Sequence, residues 1–239
     1  MYKERTYRLL GEDKDLVPFS VKIAQTDLFI KAKKDFSKKV VKWVIKYRDS
    51  LTRYIQKRKE FLTSLEPIPE DKDAPKIVKD MIWYAKISGV GPMAGVAGAI
   101  AYYVGLELSR YSDEFIIENG GDIALLSKKE RIIYIYPGEK SPFKGKLFLK
   151  IPPKEKIYGV ATSSGKIGPS LSFGHTDSTT VLSPSPILSD MVATKLGNMV
   201  KSPQDIQDAI LEGKRISKVE GILITIGDRM GIWGNINMV

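Results

Sequence analysis

The chain has no cysteine, so disulfides, thiolate metal sites, iron–sulfur ligation and a cysteine nucleophile are all excluded. It has one histidine, His175, which also rules out a histidine-rich zinc site and leaves hard, oxygen-ligated ions such as magnesium as the metals it could hold. No apolar run approaches the roughly 18 residues of a membrane span, and no signal-peptide pattern opens the sequence. These absences point to a cytoplasmic protein that does not enter a membrane. What the chain does have is 239 residues with 43% hydrophobic content, enough to build a sizeable core as a single domain.

The net charge of +10 is concentrated at one end. Residues 1–60 carry 17 Lys/Arg against 8 Asp/Glu, whereas residues 61–239 carry 21 against 20. Most of the excess lies in a helix expected at about 36–64, where Val40, Val44, Tyr47, Leu51, Tyr54 and Leu62 recur at helical spacing and lysines fill the other faces. Such a surface can bind a polyanion. No RNA- or DNA-binding motif accompanies it, so a solvated outer face is the plainer reading and nucleic acid is not the expected partner.

Alternating patterns predict short strands at "YRLL", "VPFSVKIAQ" and "DLFIKA" before this helix. A proline-rich acidic connector follows, then a helix from about Pro75 to Ile87. After a glycine turn comes a helix carrying Gly95 and Gly98. Glycine there costs about 0.5–1 kcal/mol relative to alanine, which implies a close neighbour: another backbone, a ligand, or a second subunit of a homodimer. From residue 113 the pattern turns to strands: "EFIIE", "DIALLS", "RIIYIYP", "KLFLKIP", "IYGVATS" and "STTVLS". Helices are expected near 186–200 and 203–213, and a hairpin closes the chain. This order predicts an α+β fold with helices on one side of a mainly antiparallel sheet, and its elements suggest two similar halves.

Several motifs fail on inspection. "GVGPMA" satisfies a dinucleotide fingerprint but follows a helix rather than a strand. "GVATSSGKI" has one residue too many between its glycines for a phosphate-binding Walker loop, and Ile167 where Ser or Thr should ligate magnesium. Ser163, Ser164, His175 and Asp177 are close in sequence, but no nucleophile elbow is present and an i, i+2 spacing does not orient His175 and Asp177 on one another. "ENGGD" reads as a hairpin turn, which accounts for Asn119 and Gly120 but not for Glu118 and Asp122. Asp190 and Thr194, at i, i+4 on one helix, present two oxygen ligands on the same face; a helix cap would also account for Asp190.

Taken in order, "ENGGD", "GVATSSG", "GHTDSTTVLSP" and "SDMVATKLGN" resemble the ApbE superfamily, the FAD:protein FMN transferases. The resemblance is closest to a short branch that also carries "TDLFI" and "SGVGPMAGVAGAIA". It implies an ApbE-like, T-fold-related architecture over residues 1–239, with the main motif region at about 85–200. It implies FAD or FMN and magnesium as cofactors, with Asp190 and Thr194 as metal ligands. It further implies a nucleotide pocket lined by Glu118, Asn119, Gly120, Gly121, Thr162, Ser163, Gly165, Gly174 and Asp177, with Asp122 or His175 as the base that activates an acceptor-protein hydroxyl. The sequence departs from the transferases in three ways: Ser178 follows Asp177, the glycine-rich helix lacks a lysine, and there is no lipoprotein signal. These departures keep open a non-catalytic accessory protein acting through partners, for which the branch suggests sulfide assimilation and homocysteine formation. Polyanion binding by the basic helix is a second alternative.

Overall fold

The computed structural model describes residues 13–165 and 174–239. The segment "YRLL", and Lys166 and Ile167 of the rejected Walker pattern, lie outside the described residues. Eight strands form one antiparallel sheet in the order β1-β2-β3-β4-β7-β8-β9-β10. They are β1 (Val17–Ile23), β2 (Thr26–Ala32), β3 (Phe115–Asn119), β4 (Asp122–Ser127), β7 (Lys154–Ser163), β8 (Ser178–Ser183), β9 (Gly221–Ile226) and β10 (Arg229–Gly234). The helices are inserted at two points. Helices α1 (Ser37–Lys57), α2 (Glu60–Thr63), α3 (Lys76–Ser88) and α4 (Val96–Leu108) separate β2 from β3, and α5 (Pro186–Met199) and α6 (Ile206–Arg215) separate β8 from β9. Each half is therefore a hairpin, a set of helices and a second hairpin, the doubling that the order of elements suggested.

Strand alternation assigns the two faces of the sheet. On one face Ile117, Ala124 and Leu28 meet Val44, Met81, Ile100 and Val104 of the first helices, while Val181, Ile222 and Ile224 meet Leu188, Val192, Leu196 and Ile210 of the second set. On the other face Ile116, Ile123, Leu125, Val160, Leu182 and Leu223 form a separate apolar layer. That layer is covered by β5 (Arg131–Tyr134) and β6 (Phe148–Ile151). These two segments, expected simply as further strands, form a two-stranded sheet of their own because Ile133, Leu149 and Ile151 bury against the main sheet rather than extending its edge.

The basic helix ends earlier than its periodicity predicts. It stops at Lys57, and the short α2 turns so that Phe61 is buried edge-on against Tyr54, ring centres 5.2 Å apart, leaving Leu62 exposed. No single helix among the described residues is long and apolar enough to cross a membrane.

At the end of the sheet where β3 begins, Arg131 is buried between carboxylates. Its Nη2 donates to Glu114 Oε2 at 2.7 Å and its Nη1 to Asp15 Oδ1 at 2.7 Å, while Lys33 Nζ donates to Glu114 Oε1 at 2.8 Å. Burial alone would raise the Glu114 carboxyl, but hydrogen bonds from Lys33, Ser127 and Arg131 outweigh it and hold the pKa down at about 2. A carboxyl held below its unfolded value stabilises the fold above that value and loses the contribution as pH falls through the window between the two. Stability in chemical denaturation should therefore fall between about pH 5 and 2, and Glu114→Gln should flatten that decline while costing about 1–3 kcal/mol at neutral pH.

Candidate functional site

Helix α5 is buried along its first half, from Pro186 to Ala193. Pro186 begins it, and Ser185 caps it, accepting from the Leu188 N–H. Two glycines let neighbouring backbones close on it. A side-chain carbon on Gly98 of α4 would press on the Pro186 carbonyl oxygen and lie 2.9 Å from Asp190 Cβ; one on Gly159 of β7 would lie 2.6 Å from Pro186 Cα. The close neighbour implied by Gly98 is thus the backbone of α5 in the same chain. Gly95 ends a 3-10 turn, Pro92–Gly95, and its neighbour is the flexible Met191 side chain.

This packing brings Asp190 to the first turn of α4. Its Oδ2 accepts from the Gly98 N–H at 2.8 Å, so Asp190 caps a helix other than its own. Burial pushes its carboxyl up to about 7, against the pull of the Gly98 and Ala97 N–H groups. Thr194, one turn further along α5, is half-buried.

The turn "ENGGD" lies beside the same helix start. Gly120 and Gly121, at φ 73° and 112°, make the turn, with Asn119 and Asp122 as the flanking pair rather than Asn119 within it. Asn119 Nδ2 donates to the Ala97 carbonyl at 3.0 Å, and Glu118 Oε1 accepts from the Gly121 N–H at 2.7 Å, which gives Glu118 the role that the turn pattern left open. Gly121 in turn accepts from the Thr162 N–H at 3.1 Å. Asp122 is buried and pairs with Ala161 of β7, and Thr162 Oγ1 lies 3.0 Å from Thr180 Oγ1.

The remaining sequence candidates gather at the far end of α5. Gly165, Gly174 and Gly197 stack backbone on backbone: a side chain on Gly165 would strike the Gly174 carbonyl, and one on Gly174 the Gly197 carbonyl. His175 is exposed, and its Nδ1 lies 3.0 Å from the Lys201 carbonyl. A carbonyl can only accept, so Nδ1 carries the hydrogen and Nε2 is left to accept from a ligand or solvent. Asp177 turns the other way, its Oδ2 accepting from the Gly227 N–H at 2.9 Å. His175 and Asp177 are therefore held by different neighbours, in keeping with the rejection of a hydrolase triad. Among the described residues, no group of three or more His, Asp or Glu side chains could hold a metal ion.

Sequence reasoning missed the backbone N–H groups of Ala97 and Gly98, the groups that receive Asp190. The only signal for them was glycine in an apolar helix. It also missed Thr176, Thr179 and Thr180, whose signal was hydroxyls placed on both faces of a fully buried strand and its approach.

The overall architecture is shared with solved flavin transferases. It superposes on the flavinyl transferase ApbE of Pseudomonas stutzeri with a TM-score of 0.59 at 10% identity, covering 92% of this chain and 94% of that one. A mutant flavin transferase ApbE from Vibrio cholerae gives 0.56 at 16% identity, with 92% and 97% covered. At this identity the likeness defines the class by fold: an ApbE-type α+β protein. The family model described as AbpE bacteria matches residues 8–214. A UPF0280 protein of Methanocaldococcus jannaschii is 39% identical over 221 residues, 90% of this chain and 89% of that protein, and one of Methanococcus vannielii is 39% identical over 229 residues, 93% and 92%. The chain belongs to the ApbE-like superfamily, in its UPF0280 branch.

Two outcomes test this geometry. Gly98→Ala should destabilise by about 1–3 kcal/mol in urea denaturation, because rigid backbone receives the new carbon, whereas Gly95→Ala should cost less because it meets the side chains of Met191 and Ile187 rather than backbone. A carboxyl raised above its unfolded value makes stability fall as pH rises through the window between them. Metal-free protein should therefore lose stability from about pH 4 to 7 through Asp190, and Asp190→Asn should reduce that loss in thermal melts across pH.

Proposed function

We propose that the region between the Asn119–Asp122 turn, the end of β7 and the Asp190 face of α5 binds a flavin nucleotide, FAD or FMN, with magnesium, and that the protein acts as a flavin transferase. The observation that carries this reading is the meeting of Asp190 with the first turn of α4 beside the Gly120–Gly121 turn. The start of α4 favours negative charge beside it through its dipole, with the Ala97 and Gly98 N–H groups held by Asp190 and the Gly121 N–H by Glu118. The solved flavin transferases that share this fold lend further support.

The donors present fit magnesium. Asp190 supplies a carboxylate whose anionic form burial disfavours, a penalty that a nearby cation would offset. Thr194 supplies a neutral oxygen one turn along. Magnesium typically takes one or two protein carboxylates and completes its shell with phosphate and water, and one carboxylate with one hydroxyl is such a partial set. When bound, the ion would neutralise charge on the flavin pyrophosphate. The chain's own residues would do the rest: the Gly120–Gly121 turn and Ser163 would shape the pocket wall, with Thr162 holding the turn through its N–H to the Gly121 carbonyl while its side chain lies beside Thr180 on the other face of the sheet. With FAD as donor, a base would take the proton from the acceptor hydroxyl as its oxygen bonds to the FMN phosphorus and the pyrophosphate bond breaks, releasing AMP. His175 is the exposed candidate, with Nε2 able to accept; Asp122 is the buried one.

A partial protein shell makes metal and nucleotide binding interdependent. Titration of the protein with FAD, followed by flavin fluorescence, should show binding that tightens at least about tenfold with magnesium, and Asp190→Ala should abolish the magnesium effect. Absence of affinity for FAD and FMN in both conditions would remove the proposal and leave an accessory role through partners as the reading to pursue.

A further inference from the structure

Thr176 and Thr179 are fully buried, and neither hydroxyl has a hydrogen-bond partner among the described residues. Burying one hydroxyl unpaired is costly, and two at one place call for a shared partner. Their surroundings are otherwise well bonded. The Thr176 carbonyl accepts from the Gly165 N–H at 3.1 Å, the His175 N–H donates to the Val200 carbonyl at 2.9 Å, and the Asp177 N–H donates to the Thr225 carbonyl at 2.8 Å. Ser178 bonds to Thr225 through both its N–H and its hydroxyl. Among the described residues, the hydroxyls of Thr176 and Thr179 stand outside this network.

Gly197 shows where they converge. A side-chain carbon built on it would lie 3.4 Å from Thr179 Oγ1, 3.7 Å from Ser163 Oγ and 3.7 Å from Thr176 Oγ1. Three hydroxyls, from the end of β7, the start of β8 and the segment between His175 and Asp177, thus face the one side of α5 that carries no side chain.

We propose that this niche binds a single buried water molecule, which links the His175 segment to the end of β7 and the start of β8, against the bare Gly197 side of α5. The space beside Gly197 is about that of a methyl group, since a side-chain carbon there would meet all three oxygens at 3.4–3.7 Å, and it is enclosed by buried Thr176 and Thr179. Each hydroxyl can donate one hydrogen bond and accept others, and water is the species that answers both capacities at once. An anion is disfavoured by the negative end of the α5 dipole, whose last turn carries no basic residue. A metal ion would leave the hydroxyl hydrogens without acceptors. Half-buried Ser163 places the niche next to the proposed flavin pocket, but the assignment does not depend on flavin binding.

A high-resolution crystal structure of the whole protein should show a solvent peak within hydrogen-bond reach of at least two of the three hydroxyls. Thr179→Val, which keeps the shape and removes the hydroxyl, should lower the melting temperature by several degrees and speed amide exchange at Asp177 and Ser178 about tenfold. Thr179→Ser, which keeps the hydroxyl, should restore most of both. Gly197→Ala, whose methyl group fits at ordinary contact distance, should displace the peak with the same loss of protection, and Thr176→Val replaces Thr179→Val should that variant fail to fold. No peak, a peak that scatters anomalously after rubidium exchange, or a Thr179→Val protein as stable and protected as the parent would each overturn the assignment.

Discussion

The first half of α5 must be enclosed on nearly every side, and that constraint governs the rest of the structure. Burying Leu188 and Val192 is worth about 1.5–3 kcal/mol each, more than the roughly 0.5–1 kcal/mol that Gly98 costs within α4. The helix is therefore held close at the expense of local helix propensity, with α4 on one side and β7 on the other. Gly98 and Gly159 set how near these neighbours come. Asp190 follows from this approach: it reaches the free N–H groups of α4 only because no side chain stands at Gly98.

The two faces of the sheet are finished differently, and this confines the candidate site. One face carries α1, α3, α4, α5 and α6; the other is sealed by the β5–β6 pair. The Arg131–Glu114 cluster secures the end where β3 begins, while the Asn119–Asp122 turn, Thr162 and Asp190 gather towards the end where β3 finishes. Rigid elements rather than long loops thus carry most of the candidate residues, which suits a site that must hold charged groups at fixed separations. The His175 segment joins them through backbone hydrogen bonds to β9 and to the residues after α5.

Much of the fold was legible because it rests on local periodicity. Strands β3, β4, β7 and β8 fall where apolar residues recur in short runs, and α3 and α5 begin where proline permits a first turn. The end of α1 was not legible: Leu62 continues the helical stripe, but burial of Phe61 against Tyr54 wins and turns the chain. The separate β5–β6 sheet was not legible either, since alternation identifies a strand without naming its partner. Within the site, the turn at Gly120–Gly121 and the shared face of Asp190 and Thr194 could be read from spacing. The attachment of Asp190 to α4, 92 residues earlier in the chain, could not.

The sequence by itself determined the composition limits, the periods that make helices and strands, the doubled order of elements and the ordered motifs that resemble the ApbE superfamily. All of these depend on residues near one another in the chain or on residue types alone. Only the tertiary structure decided that Gly98 and Gly159 exist for α5, that Gly165, Gly174 and Gly197 stack on one another, and that His175 and Asp177 face different neighbours. Those outcomes are contacts across long separations in sequence, set by which apolar faces bury one another and by how closely two backbones can approach, and no local pattern encodes either.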